Sequence, residues 1–599
     1  MDEPEAPEPN HGFDDSRRLT GPNRYFGGTA VILSALGAAA HDTAAHARWA
    51  KRVRQVCAGL NWPDPQPQAL ERRHEPMLAF AAPPDLLFTA TEINEWAWER
   101  SAAEAGESSF DLAQNLGDDP AALFAERAQA ERRPALVALR AEAVARGLPL
   151  FEDDDEVSIG AGAGSRRWPL DTPPSVDAVP WADLHDVPTA LVTGSNGKTT
   201  TVRLLAAMAG AAGLSAGHSC TEGVAVAGQT MERGDYSGPA GARAVLRHRG
   251  VHAAILETAR GGMLRRGLAV QRADVAVVTN ISPDHLGEYG VETAADLAEV
   301  KLIVARAVGA DGTLVLNADD APLMAAAAGL PHTAPARWAL FAHDQAHADL
   351  QALRARGGST CGAREGELVL THQGREHVLG EIAAMPITLG GAARHNLANA
   401  AAAALAGACM GLPVPAIAAT LSRFGARPQD NAGRLERRTH RGAVVLIDYA
   451  HNPEGLAQLL HVAHTLAPGG RLGLLLGQAG NRDDAAVAEL CRTAARFAPE
   501  RVLIKELATM LRGRAQGEVP ALIERELLAA GLPRERLSHE DDEESAAHDL
   551  LAWAQPGDVI VLPLHTRAVR ERVAAAIDAA NRTANGNANG NAMGNANDA

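Results

Sequence analysis

Residues 193–200, Thr193-Gly194-Ser195-Asn196-Gly197-Lys198-Thr199-Thr200, set two glycines, a lysine and a run of hydroxyls between an apolar stretch and a helical one. Glycines let backbone N–H groups crowd around an anion, the lysine adds positive charge, and the hydroxyl after it is placed to ligate magnesium. The arrangement predicts a phosphate cradle, and with it the use of ATP. A full phosphate-loop pattern carries a further glycine where this chain has Val192, so the loop is the shorter Thr-Gly-x-Asn-Gly-Lys-Thr form. The competing reading, a chance Gly-Lys-Thr in a chain with 57 glycines, is opposed by the strand before the loop and the helix after it.

Two later segments end apolar strands on groups of the same kind. His252-Ala-Ala-Ile-Leu-Glu257 finishes on a carboxylate, and Val275-Ala-Val-Val-Thr279-Asn280 is followed by Asp284-His285. In an open parallel sheet the ligand sits beyond the carboxyl ends of the strands, so Glu257 and His285 are expected near Lys198. A carboxylate, a neutral imidazole and phosphate oxygens make an adequate magnesium shell. A strand-ending charge and a structural histidine are the plain alternatives, weakened by convergence after three strand ends. Lys301 is less expected. In a helix expected over Asp296–Val308, the stripe Leu297, Lys301, Val304, Val308 puts its ammonium on the apolar face. Burial of that charge is costly or depresses its pKa. Two readings stay open: a lysine converted by carbon dioxide to a carbamate that ligates a second magnesium, or a lysine that snorkels to the helix edge.

The elements around these residues suggest an α/β protein. At 599 residues the chain has room for roughly three to four domains of about 150 residues. Residues 1–15, acidic and proline-rich, read as a disordered leader rather than a secretory signal. Residues 16–185, with six of the eight tryptophans, read as a separate N-terminal α+β domain. Residues 186–428 alternate strands (Ala190–Thr193, Ala253–Leu256, Val275–Thr279, Thr313–Leu316) with helical patterns, which implies a central parallel sheet. A second set over 429–580 (Ala443–Ile447, Leu472–Leu476, Arg501–Ile504, Asp558–Leu562) implies a Rossmann-like C-terminal domain. Residues 581–599, rich in Asn, Ala and Gly, read as a disordered tail. Leu397–Thr420 is apolar but interrupted by Gly411, Pro413 and Pro415, which suits a buried helix better than a membrane span. The net charge of -17 argues against nucleic acid as a partner. Five scattered cysteines without metal-ligand spacing fit thiols in a reducing cytoplasm, the expected location.

With the strand-end Glu257, Asn280, Asp284-His285, Lys301 and Ala393-Arg-His-Asn396-Leu-Ala-Asn399, the loop occurs in the order and approximate spacing of the Mur ligase superfamily, which residues 186–580 resemble. Within it the chain is similar to the Mur-ligase-like half of the cyanophycin synthetase family. The phrases that carry this are Gly234-Asp-Tyr-Ser-Gly-Pro239, Leu256-Glu-Thr-Ala-Arg-Gly-Gly-Met-Leu-Arg265, Leu511-Arg-Gly-Arg514 with Gly517-Glu518, and Arg18-Leu-Thr-Gly-Pro-Asn23. The resemblance implies a central ATPase domain and a C-terminal Rossmann-like domain serving ATP-dependent amide ligation with Mg2+. By the same resemblance, Thr193 to Thr200 and Asn280 contact the nucleotide, and Lys198 reaches its β and γ phosphates. Thr199 and Glu257 hold one magnesium, and His285 with carbamylated Lys301 a second. Asn396 faces the adenine, and Arg434 and Asp448 are the phosphate and ribose contacts of the C-terminal domain. The family's ATP-grasp domain has no counterpart in the first 185 residues, so a single ligation step is expected. At Gly477-Gln-Ala-Gly-Asn481-Arg-Asp-Asp484 the family's usual aspartate is Asn481, with Asp483 or Asp484 as candidate substitutes. The expected substrates are an amino acid, a basic one by analogy, and a carboxylate-bearing peptide or polymer acceptor. A homo-oligomer and a separate ATP-grasp protein are the protein partners considered. Acidic runs at Glu152–Glu156 and Glu540–Glu544 could bind a basic amine but read as solvated faces. The alternatives are a nucleotide-binding regulator that does not turn over, a subunit for a separate ATP-grasp ligase, and a phosphotransferase.

Overall fold

A computed structural model describes residues 12–72, 76–107, 120–283, 286–330 and 337–594. They fall into two compact units. One comprises Met1–Cys361, Leu370–His377 and Ala402–Ile417; the other comprises Gly362–Val369, Val378–Ala401 and Ala418–Ala599.

The first unit opens with strands β1 (Phe13–Leu19), β2 (Ala30–Ala35), β3 (Gln68–Leu70) and β4 (Met77–Ala81), which form an antiparallel sheet in the order β1-β2-β4-β3. Helices α1 (Thr43–Gly59) and α2 (Leu87–Ala103) accompany it, and its core is aromatic, with Trp49, Phe80, Trp96, Trp98 and Phe124 all buried. Trp49 can be buried because its indole N–H donates to Asn94 Oδ1 at 2.9 Å. A small sheet of β5 (Leu150–Glu152), β6 (Glu156–Ile159) and β7 (Arg166–Pro169) follows.

The central sheet contains β8 (Thr189–Thr193), β9 (Ala216–Cys220), β10 (Gly223–Val226), β11 (Gln229–Arg233), β12 (Ala253–Glu257), β13 (Ala273–Val278), β14 (Val308–Asn317) and β15 (Arg337–Asp344), in the order β11-β10-β9-β12-β8-β13-β14-β15. From β9 to β15 all neighbours are parallel, and β10 and β11 add an antiparallel edge. Parallel strands covered on both faces need continuous apolar runs, and every residue of β8 and β12 is buried. With β8 between β12 and β13, the loops leaving three carboxyl ends open side by side. Helix α3 (Lys198–Ala211) follows β8, α4 (Arg260–Arg266) follows β12, and α5 (Ala294–Lys301) lies between β13 and β14.

The N-terminal segment has its own sheet and core, yet it belongs to the same compact unit as the central sheet. Thr20 N donates to Arg266 O and Leu268 N to Pro22 O, each at 2.8 Å. Gly21 makes this seam feasible, since a Cβ there would lie 2.0 Å from the Leu268 carbonyl oxygen. Asn23 locks the turn: its amide donates to Gly21 O and Gly28 O, and its Oδ1 accepts from Tyr25 N and Phe26 N. The Arg18–Asn23 phrase is therefore a docking element.

The chain passes between the units through β16 (Ser359–Arg364), β17 (Glu367–His372) and β18 (Arg375–Glu381). The expected helix over Leu397–Thr420 is two helices, α6 (Arg394–Cys409) and α7 (Val414–Leu421), because Gly411 turns at φ 81° and Pro413 cannot continue a helix. No helix among the described residues is long and apolar enough to cross a membrane. The second unit holds β19 (Glu436–His440), β20 (Ala443–Asp448), β21 (Leu472–Leu476), β22 (Arg501–Lys505), β23 (Leu537–Glu540) and β24 (Val559–Pro563), ordered β19-β20-β24-β21-β22-β23. All but β19 are parallel. Helices α8 (Glu543–Trp553) and α9 (Arg567–Gly594) belong to it.

Three expectations change. The leader assigned to residues 1–15 overlaps β1, which begins at Phe13, and residues 1–11 lie outside the described ones. The helix expected through Val308 ends at Lys301, continues as a 3-10 turn over Leu302–Ala307, and gives way to β14 at Val308. The tail from 581 is helical to Gly594. Val569, Val573 and Ile577 are buried and anchor the first half of α9.

The Gly21 seam is open to test. Gly21→Val should lower stability by about 1–3 kcal/mol through overpacking against Leu268. Thermal unfolding measures this, and limited proteolysis should then cut ahead of β8; an unchanged melting curve and digest would remove the seam from the account.

Candidate active site

The loop expected to cradle phosphate is held by the end of a neighbouring strand. Asn280 accepts from Asn196 N at 2.9 Å and its amide donates to Asn196 O at 3.1 Å. Ser195 N donates to Asn280 O at 2.9 Å, and Thr279 Oγ1 donates to Asn196 O at 2.6 Å. Ser195 and Ser282 exchange a reciprocal pair of bonds, each at 3.0 Å. The loop is thereby stapled along one side to the end of β13. Gly194, at φ 146°, permits the approach: a Cβ on it would sit 1.8 Å from Thr279 Oγ1. Gly197 is the N-cap of α3, so the first N–H groups of that helix open on the loop. Lys198 Nζ rests on Ser195 O at 3.0 Å.

The expected nucleotide contacts thus divide. Lys198, Gly197 and the N–H groups of α3 line the cradle. Asn280 uses its Oδ1 and one amide proton on the loop backbone and so positions the cradle, and Thr193 Oγ1 is buried without a hydrogen-bond partner.

Glu257, only 2% exposed, ends β12 directly beside the loop. Its Oε2 accepts from Thr199 Oγ1 at 2.8 Å, and Thr199 Oγ1 lies 3.2 Å from Thr221 Oγ1. Its Oε1 is buried with no hydrogen-bond partner. A buried carboxylate oxygen left unpaired carries a heavy desolvation cost, and a cation removes that cost. Two hydroxyls and a carboxylate form a hard oxygen set suited to magnesium. Thr221 was not foreseen; its signal is a hydroxyl just past the end of β9, at the same carboxyl edge. Among the described residues there is no group of three or more His, Cys, Asp or Glu that could hold a metal ion. A cavity of about 20 Å3 bordered by Ser237, Glu257, Thr258 and Gly262 has room for a single water-sized particle. It lies where the Gly234–Pro239 and Leu256–Arg265 phrases meet, with Ala259 N donating to Ser237 O at 2.8 Å.

His285 lies outside the described residues. Lys301 is 4% exposed, so it does not snorkel to the surface. Its stripe partners Leu297, Val304 and Val308 are equally buried, although they span three kinds of backbone. The helix that carries it is gripped from the N-terminal segment. Arg24 and Arg72 reach Asp296 Oδ1 at 3.0 and 2.7 Å, and both guanidiniums also donate to Gly290 O. Asp296 also closes the capping box of α5 with Thr293. Burial works to raise its pKa, but Thr293, Arg24 and Arg72 outweigh it and keep the carboxyl below its ordinary value.

In the second unit, Asn396 is buried and donates to Ile387 O at 3.0 Å, while its Oδ1 accepts from Asn399. Asp448 accepts from Leu435 N and Ala450 N and so ties the Arg434 turn to the end of β20. Arg434 lies over the Tyr449 ring at 4.5 Å from its centroid. Asp483 caps the helix that follows it, and Asp484 pairs with Arg514 at 2.7 Å, so neither stands free in the place of Asn481. Arg514 also donates to the carbonyls of Gly480 and Arg482, which makes the Leu511–Arg514 phrase a clamp on that loop. The acidic runs are not wholly solvated. Asp153 pairs with Arg247 in the first unit, and Glu543 is buried against Lys505 in the second. Cys57, Cys409 and Cys491 are held protonated, burial pushing each thiol up to about 12, which rules them out as nucleophiles.

Residues 192–407 match the Mur ligase middle domain, and residues 433–563 match the Mur ligase glutamate ligase domain. This chain belongs to the Mur ligase family. Among curated relatives it is similar to the cyanophycin synthetase of Crocosphaera subtropica, 35% identical over 396 residues, 66% of this chain and 44% of that one. It is also similar to the UDP-N-acetylmuramoyl-L-alanyl-D-glutamate--2,6-diaminopimelate ligase of Chlorobaculum tepidum, 30% identical over 336 residues, 53% of this chain and 60% of that one. The chain spans less than half the length of the cyanophycin synthetases it matches. Among solved structures, E. coli FolC in complex with ADP matches at 18% identity and a TM-score of 0.48, covering 66% of this chain and 90% of that one.

Two substitutions separate the cradle from the cation set. Gly194→Ala should abolish detectable ATP binding, a loss of at least about a hundredfold, because its Cβ cannot coexist with Thr279. Glu257→Gln should bind metal-free nucleotide as before yet lose about tenfold in affinity for the magnesium complex. Calorimetric titration with and without magnesium reads both; equal losses in the two titrations of Glu257→Gln would remove it from the cation set.

Proposed function

We propose that this protein is an ATP-dependent amide ligase. A substrate carboxylate oxygen attacks the γ-phosphorus of ATP, the bond to the β-γ bridging oxygen breaks, and an acyl phosphate and ADP result. An amino acid's amine then adds to the acyl carbon, the tetrahedral intermediate expels phosphate, and the amine proton is lost. The observation that carries the proposal is the unpaired, buried Oε1 of Glu257 beside Thr199 and the Lys198 cradle.

This chain's residues suit that chemistry, which needs positioning and charge neutralisation rather than a protein nucleophile. Lys198 and the N–H groups opening α3 hold the β and γ phosphates. Thr199, Thr221 and Glu257 hold a divalent cation, magnesium in this proposal. Such a cation neutralises charge on the transferred phosphoryl group. Lys301 would enter as a carbamate: its ammonium would give up a proton, the amine would form an N–C bond to carbon dioxide and release a second proton to solvent, and the resulting carboxylate, with His285, would hold a second magnesium. Arg434 and Asp448 contact phosphate and ribose, and Asn396 the adenine. The acceptor is a carboxylate-bearing peptide or polymer and the amine an amino acid, as the names of the relatives suggest.

Purified protein with ATP, magnesium and a panel of carboxylates and amino acids should release phosphate only when an amine is present, with a matching amide in the mass spectrum. Lys198→Ala should slow release about a hundredfold or more. Lys301→Ala should keep ATP affinity within about twofold while amide formation falls at least a hundredfold. Release that never depends on an amine would sink the proposal, and a stable phosphorylated product would replace it with a phosphotransferase.

A further inference from the structure

The Glu540–Glu544 run contains a residue that no role above absorbs. Glu543 opens α8 only 4% exposed, and it faces Lys505, the last residue of β22, whose side chain is wholly buried. An ammonium has three protons to place, and this one has three acceptors: Glu543 Oε1, the Pro563 carbonyl, and His565 Nδ1 at 3.2 Å. Glu543 is equally satisfied, with Oε1 also accepting from His565 N at 2.7 Å and Oε2 from Thr566 N at 2.8 Å. Burial opposes ionisation of the carboxylate, but the charge of Lys505 helps overcome it and hold the carboxyl below its usual range.

With Lys505 as the donor to Nδ1, the imidazole of His565 is neutral and carries its proton on Nε2. Burial, then the Lys505 charge, pushes its pKa down to about 4, in keeping with that state. Its Nε2 is buried and has no hydrogen-bond partner. What the ring does touch is Tyr449, edge to face at 5.3 Å and 75°. A T-shaped pair of this kind is a favourable geometry. Arg434 also lies over the Tyr449 ring, with Arg570 5.7 Å from its centroid.

A buried ion pair of this kind is weak as a source of stability and costly to break, so its value lies in fixing geometry. We propose that Lys505, Glu543 and His565 form a positioning network that sets the Tyr449 ring and, through it, aims the Arg434 guanidinium at a phosphate group. The inference rests on the nucleotide role given to Arg434 above. It adds three positioning residues on β22, α8 and the turn after β24, none of which touches the ligand itself.

The test uses the full chain, ATP with magnesium as the probe, and a double-mutant cycle. Arg434→Ala should weaken ATP binding about tenfold and Lys505→Met about fivefold, while the double variant should bind no more weakly than Arg434→Ala alone, within about twofold. Additive losses would overturn the network, since Lys505 would then act without Arg434. If Arg434→Ala binds ATP normally, the nucleotide role of Arg434 fails instead, and a separate readout still judges the network. Histidine-selective nitrogen NMR, assigned through His565→Gln, should find the His565 proton on Nε2 in the parent and a change of tautomer in Lys505→Met. A parent tautomer protonated on Nδ1 would refute the proposal outright. Should Lys505→Met fail to fold, Lys505→Met with Glu543→Gln removes both charges together and serves in both measurements.

Discussion

Everything proposed for the first unit depends on one contact: the end of β13 laid against the phosphate loop. Asn280 gives and receives a hydrogen bond with the Asn196 backbone, and Thr279 adds another to the same carbonyl. A loop of glycines and small polar residues has many conformations and would lose much entropy on closing around a ligand. Here that entropy is lost on folding, and the strands enforce it, because Thr193 and Val278 are paired in register one step before the contact. Pre-organisation of this sort matters most where the ligand is highly charged and the donors are backbone dipoles.

A second constraint reaches the same edge of the sheet from outside it. Asp296 has two duties, as half of a capping box and as the receptor of Arg24 and Arg72. The entry of the helix that carries Lys301 is thus set by residues more than two hundred positions earlier. The side chain of Arg24 is almost fully buried, so the ion pair works in a low dielectric and is little screened by salt.

The sequence revealed what depends on local pattern. The apolar runs at Ala190, Ala253, Val275 and Thr313 became strands of one sheet, and those at Ala443, Leu472, Arg501 and Asp558 strands of the other, with ends displaced by at most a few residues. The strand-end position of Glu257 was legible for the same reason. Long-range partners were not. Nothing local in the sequence says that Asn280 also braces the Asn196 backbone. The periodic stripe through Lys301 was correct about burial and wrong about backbone: a 3-10 turn and a strand start can present the same side chains inward. Glu543 sat in an acidic run that looked solvated, and only the fold brings Lys505 and His565 to it.

The seam at Gly21 bears on how interchangeable the parts of this chain are. Tandem domains are usually treated as units that can be cut and rejoined at a linker, and the proline-studded stretch from Pro169 to Pro188 invites such a cut. Residues 266–268 contradict that picture. The Arg266 carbonyl and the N–H of the buried Leu268 take their partners from Thr20 and Pro22, so a fragment beginning at the phosphate loop carries two orphaned backbone groups and a bared leucine. In this fold the natural point of exchange is not the linker, and any recombination that swaps the N-terminal segment must bring a matching Thr-Gly-Pro edge with it.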